Sequence, residues 1–182
     1  MQWLAKLIYF KILGWRIVGN TTFSRDTVKK AIIIAAPHTS WHDFYIGVLL
    51  RAVVNMKSNF IGKKELFVFP IGWFLKAIGG RPINRQENEN KVDAIAKLFD
   101  NEEEFRIALA PEGTRKKVEN WRTGFYYIAK KANVPIIMFT LDFENKQNKI
   151  SEPFYPTDNI EEDFKVFYRF FDNVKGKIPE YS

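Results

Sequence analysis

The sequence predicts a single α/β domain, a central sheet with helices on both of its faces. Three observations carry this. Apolar runs of strand length recur along the chain, the clearest being residues 31–36, AIIIAA, which suit a strand buried on both faces. Segments with helical spacing of apolar residues fall between those runs, as with Val92, Ile95, Ala96 and Phe99. The 182 residues include no stretch rich in Pro, Gly or Ser that would divide the chain into separate domains, no internal repeat and no low-complexity run. A chain of that length suits one core, so residues 1–182 are read as one domain.

Taken in order, residues 2–13 predict a helix. Trp3, Leu4, Leu7, Ile8 and Phe10 share a face and Lys6 lies off it. Lys11 sits on that face, where its stem can cover apolar surface while its ammonium reaches water or phosphate. The longest uninterrupted apolar run here is Leu7 to Phe10, far short of the ~20 residues a bilayer span needs. There is no small-residue cleavage site of the kind that ends a signal peptide. Residues 1–20 are thus a helix lying on the domain or in a membrane interface, followed by a short strand at 15–18 between Gly14 and Gly19. After the strand at 31–36 come a helix at 41–54 and a short strand at 59–62. Residues 66–78 are almost wholly apolar, broken by Pro70, Gly72 and Lys76. A helix around 92–99, a strand at 105–110 and a helix set by Trp121, Phe125, Ile128 and Ala132 follow. Strands at 135–143 and 149–154 precede a last helix marked by Ile160, Phe164, Phe167, Phe171 and Val174.

Composition narrows the chemistry. The absence of cysteine removes disulfides, thiol nucleophiles and Cys-ligated metals. With His38 and His42 the only histidines, a His-rich metal site is excluded too. The net charge of +7 is uneven: residues 1–150 carry 24 basic and 14 acidic side chains, residues 151–182 carry 4 and 7. A basic body suits either a solvated soluble surface or an anionic partner, whether nucleic acid, membrane or phosphorylated substrate. The 17 Phe, 7 Tyr and 5 Trp imply a large core or a surface that meets lipid.

The buried strand at 31–36 runs into Pro37-His38-Thr39-Ser40-Trp41-His42-Asp43. Strand ends in α/β sheets are where functional residues gather. On one ideal helix, positions five apart point about 140° from each other, so His38 and Asp43 meet only if the histidine precedes the helix and the aspartate lies in its first turn. Thr39 or Ser40 would then be the N-cap. In that arrangement Asp43 fixes the imidazole tautomer and the other ring nitrogen is free to take a proton from a hydroxyl. The plainer alternative is a capping box, Ser40-x-x-Asp43, that serves only the helix start. Two later segments bring cations to loops. Gly79-Gly80-Arg81-Pro82-Ile83-Asn84-Arg85 reads as a tight turn with arginines behind it. Ala110-Pro111-Glu112-Gly113-Thr114-Arg115 follows the strand at 105–110. In it Gly113 allows close backbone approach, Thr114 offers a hydroxyl and Arg115 a planar fork that matches phosphate. Lys116, Lys117 and Arg122 add to the positive neighbourhood.

These blocks resemble the glycerolipid acyltransferases, the family that includes 1-acyl-sn-glycerol-3-phosphate acyltransferase. His38-x4-Asp43, Ile83-Asn84-Arg85, Glu112-Gly113-Thr114-Arg115 and Val134-Pro135-Ile136 match that family's four motifs in order, over roughly residues 31–141. The resemblance implies a mixed central sheet. It implies His38 as general base, Asp43 as its partner, Arg85, Glu112, Gly113 and Arg115 around the acceptor phosphate, and Val134-Pro135-Ile136 beside the acyl group. Many members carry Asn before the histidine where this chain has Pro37, so a role for such an Asn side chain does not transfer. The implied reaction moves a fatty acyl group from acyl-CoA or acyl carrier protein to the hydroxyl of lysophosphatidate, giving phosphatidate. No cofactor and no metal is expected, and no nucleic acid. The expected partners are a phosphorylated lysolipid, the acyl thioester and an anionic membrane surface, met from the cytoplasmic face. The rival readings are transfer to another lysolipid such as a lyso-aminolipid, a thioesterase, and a non-catalytic basic module.

Overall fold

Strand β2 (Lys30–Ala36) shows how the layers arise. Successive side chains of a strand point to opposite faces. Ile32 and Ile34 join a core with Phe99, Phe125, Ile128 and Phe167, while Ala31 and Ile33 join another with Tyr9, Ile46, Leu50 and Phe139. A strand apolar at six successive positions, 31–36, is therefore one that must be covered twice. Each buried isoleucine stabilises the fold by roughly 1.5–3 kcal/mol relative to exposure.

The structure, a computed structural model, describes residues 2–23, 27–83 and 91–182. The chain order is α1 (Gln2–Lys6), β1 (Arg16–Gly19), β2, α2 (His42–Val53), β3 (Phe60–Lys63), α3 (Ile71–Ala77), β4 (Gly80–Ile83), α4 (Lys91–Asp100), β5 (Phe105–Leu109), α5 (Gly124–Ala132), β6 (Ile136–Thr140), β7 (Gln147–Ile150) and α6 (Ile160–Phe171). Five strands run in the order β1-β7-β6-β2-β5, all neighbours parallel except the antiparallel pair β6 and β7. β3 and β4 form a parallel pair that lies beside β5, since Asn59 bridges Ile107. The expected mixed sheet in a single α/β unit is present, with α1 and α2 packed into one core and α4, α5 and α6 into the other.

Three elements differ from the sequence reading. The first helix keeps α geometry only to Lys6 and continues as a π-helical turn, Leu7–Ile12. It docks through Ala5 and Tyr9, while Trp3, Leu4, Leu7 and Phe10 face out. The segment read as a tight turn at 79–85 contains β4 instead. Gly79-Gly80 and Pro82 mimic a turn, but β4 pairs with β3, and a proline without an N–H is tolerated in an edge strand. The last strand is shifted earlier, to Gln147–Ile150, leaving Phe154 to bridge Ile136 by itself. Among the described residues no helix is long and apolar enough to cross a membrane.

Candidate active site

β2, β5 and β6 are in register, with Ile34 opposite Leu109 and Ala36 opposite Thr140. Their C-terminal ends therefore deliver the loop at 37–41 and the loop at 110–115 to one edge of the sheet. Across a short turn the first loop enters α2. Trp41 stands at the N-cap position and offers no side-chain bond, while Ser40, one residue before it, accepts the His42 backbone N–H on Oγ at 3.4 Å. Asp43 in the first turn reaches back to the loop before the helix. Its Oδ2 accepts the backbone N–H of Thr39 at 2.9 Å and of Ser40 at 2.8 Å.

The same oxygen lies 2.9 Å from His38 Nδ1. Asp43 thus anchors the helix start and orients the imidazole at once, and the two sequence readings of this aspartate coexist. With Nδ1–H donated to the carboxylate, the neutral ring has Nε2 free to accept a proton. Asp43 is buried, whereas the His38 side chain is 27% exposed, so the proton-accepting partner is the one that a substrate can reach. His42 is turned away. Its Nδ1 contacts Ser40 Oγ at 2.8 Å and its ring stacks on Trp41.

Glu112 holds the histidine from behind. Its Oε1 accepts the His38 backbone N–H at 2.9 Å. The carboxylate is buried, Oε2 meets no donor among the described residues, and burial raises its pKa, partly offset by that backbone bond. Beyond it the chain turns at Gly113, whose φ of +66° is a left-handed conformation that glycine alone adopts without cost. The Arg122 side chain lies across this glycine, where an added Cβ would come within 2.5 Å of its Nε.

His38, Gly113, Thr114 and Arg115 line a common cavity of about 490 Å³ whose remaining wall includes Ile61, Ile95, Ile107 and Leu109. A proton acceptor, a guanidinium and an apolar recess are thereby gathered at one opening. Arg85 lies outside the described residues. Val134 and Ile136 do not line this cavity; they are buried in the core that its wall residues Ile61, Ile95, Ile107 and Leu109 also join. Arg81 is absent from the site as well: it pairs with Glu102 at 2.8 Å. Sequence reasoning missed the apolar wall. It also missed Thr39 Oγ1, which accepts the Ile178 backbone N–H at 3.1 Å, while Gly176 packs against the same side chain. No local pattern signals a bond across 139 residues.

A family profile described as Acyltransferase matches residues 16–141, well over half of the chain. The chain belongs to the acyltransferase family. This acyltransferase is 24% identical over 150 residues to 1-acyl-sn-glycerol-3-phosphate acyltransferase of Saccharomyces cerevisiae. That match takes in 75% of the chain and 47% of the yeast protein, so the chain spans about half the length of the curated relative. In fold it is similar to the crystal structure of the 1-acyl-sn-glycerophosphate (LPA) acyltransferase PlsC from Thermotoga maritima. The TM-score is 0.61 at 19% identity, covering 93% of this chain and 74% of that one.

Proposed function

We propose that this acyltransferase transfers a fatty acyl group from an acyl thioester, acyl-CoA or acyl carrier protein, to the hydroxyl of lysophosphatidate, and so makes phosphatidate for phospholipid synthesis. The observation that carries the reading is the His38 Nδ1–Asp43 Oδ2 contact at a cavity that Arg115 also lines. His38 Nε2 takes the acceptor's hydroxyl proton as that oxygen attacks the thioester carbonyl. Asp43 stabilises the imidazolium that results. The tetrahedral adduct collapses, the C–S bond breaks, and the proton held on His38 passes to the departing thiolate. Arg115 presents a planar fork for the acceptor phosphate, and Ile61, Ile95 and Ile107 offer an apolar wall to an alkyl chain. The names of the yeast and Thermotoga proteins point to the same acceptor.

A membrane surface on the cytoplasmic side completes the reading. Trp3, Leu4 and Ile12 on the first helix, and Val68, Phe69, Ile71, Trp73 and Phe74 on and before α3, are all exposed. So many large exposed apolar side chains on these two segments favour insertion at a lipid interface. The deciding experiment measures thiol release from acyl-CoA with and without lysophosphatidate, with the product identified by mass. Release that depends on acceptor, and a product of phosphatidate mass, supports the proposal. Release that ignores acceptor would mark a thioesterase, and a product formed only from a different lysolipid would reassign the acceptor.

A further inference from the structure

The far end of α2 carries a second polar cavity. Arg51 stands in the last turn of α2, eight residues after Asp43 and so about 12 Å along the helix axis from the His38–Asp43 pair at its start. The cavity, about 440 Å³, is lined by Arg51, Lys57 and Lys76 together with Asn55, Ser58 and Asn59. No carboxylate lines it among the described residues. Arg51 is built in rather than waving in solvent. Its Nη1 donates to Ser58 O at 2.8 Å and Ile78 O at 2.7 Å, and it rests against Gly79, where a Cβ would sit 3.0 Å from it. Two carbonyls orient a guanidinium but do not neutralise it, and burial lowers its pKa. The remaining guanidinium hydrogens and two exposed ammonium groups are available to an anion.

The surroundings say which anion. Ile78, which fixes Arg51, directly follows α3, the helix that exposes Ile71, Trp73 and Phe74. On the other side Gln2 Nε2 donates to Val53 O, so the first helix, with exposed Trp3 and Leu4, begins at this same end of α2. A cationic cavity flanked by two exposed apolar segments matches an amphiphile with an anionic head and a hydrocarbon body. We propose that the Arg51–Lys57–Lys76 cavity binds the phosphate headgroup of an anionic bilayer phospholipid, as a docking site separate from the acceptor site. The inference rests on the reading of this acyltransferase as an interfacial enzyme, and it deepens that reading by naming the lipid class and the residues that take it.

The test uses the full chain carrying Lys57→Gln and Lys76→Gln, with Arg51 left in place because its bonds hold the fold. A charge-matched control carries Lys130→Gln and Lys131→Gln on α5, on the other side of the sheet. Co-sedimentation is measured with phosphatidylcholine vesicles, with and without phosphatidylglycerol. The expected result is an about thirty-fold loss of affinity for phosphatidylglycerol vesicles in the first variant, from two basic groups removed near the surface. The control should lose little, and phosphatidylcholine binding should be equal in all three proteins. Acyl transfer to a short-chain, water-soluble acceptor should also be unchanged. Equal losses in the control, or equal losses on phosphatidylcholine alone, would overturn the site. So would intact vesicle binding with a raised KM for the soluble acceptor, since the cavity would then serve substrate. A native chain with this lipid dependence but no acyl transfer would instead sink the proposed reaction and leave the docking site standing.

Discussion

One carboxylate oxygen, Asp43 Oδ2, receives three donors: the backbone N–H groups of Thr39 and Ser40 and the His38 ring. An amide oxygen at the same place can still receive the two backbone groups, but it offers the imidazolium no charge. Asp43→Asn is therefore expected to keep the native melting temperature and lower kcat by about 10²–10⁴-fold, as is His38→Ala. His42→Ala, whose ring meets Ser40 and Trp41, should cost far less. If the order of the two histidines is reversed in a transfer assay, the base is misassigned. Glu112 gives a prediction with pH in it. Burial raises its pKa, so the folded state holds that proton more tightly than the unfolded chain does. The stability it contributes is complete below the unfolded pKa and is lost as pH rises through the raised one. Glu112→Gln, whose amide oxygen can still accept the His38 N–H, should melt higher than the native chain at neutral pH, with the gap closing in acid. Transfer should survive within several-fold. Abolished transfer at an unchanged melting temperature would mean that the carboxylate acts on the substrate. At this scale the spacing of His38 and Asp43 was legible, because five residues across a helix start is a local constraint. The bond from Glu112 to the His38 backbone was not, because it joins positions 74 apart.

The loop after β5 and the two exposed apolar segments are the elements at which the proposed acceptor binding and the proposed membrane docking can be tested apart. Arg115→Lys keeps the charge but loses the two-pronged geometry, so KM for lysophosphatidate should rise by about tenfold or more while KM for the acyl donor barely moves. A rise confined to the donor would assign this loop to the phosphates of CoA. The N-terminal helix cannot be tested by removing it, since Ala5 and Tyr9 are part of the core and Tyr9 bonds Asn148. Polar replacement of outward side chains is the cleaner probe. Phe69→Ser with Trp73→Ser, both far out in solvent, should leave the melting temperature alone. It should reduce transfer on vesicles more than transfer to a short-chain soluble acceptor, and equal losses on both would remove these residues from the interface. The helices over 41–54 and 92–99 were readable because apolar spacing fixes their buried faces. The first helix misled in one respect. Its richest apolar face points outward and its docking face is carried by Ala5 and Tyr9, a distinction that periodicity alone does not make.

Across the whole molecule, strands distant in sequence become neighbours. β1 lies at one edge against β7, and β3 with β4 extends the other. The sequence announced β2 and β6 through unbroken apolar runs but carried no sign of the pairing of β1 with β7, which depends on residues about 130 positions apart. It also hid β4 behind the turn-like Gly79-Gly80. The bond from Ile178 to Thr39 extends the same dependence into the site. In time rather than in space, that bond sets an order of assembly. Domains begin to organise as the chain leaves the ribosome, N-terminal segments first. The strand, the histidine and the aspartate are all made by residue 43, yet the hydroxyl of Thr39 meets its donor only after residue 178 has been added. A nascent chain thus carries His38 long before the strut from Ile178 exists, and that loop is braced only once 139 residues have been added beyond Thr39.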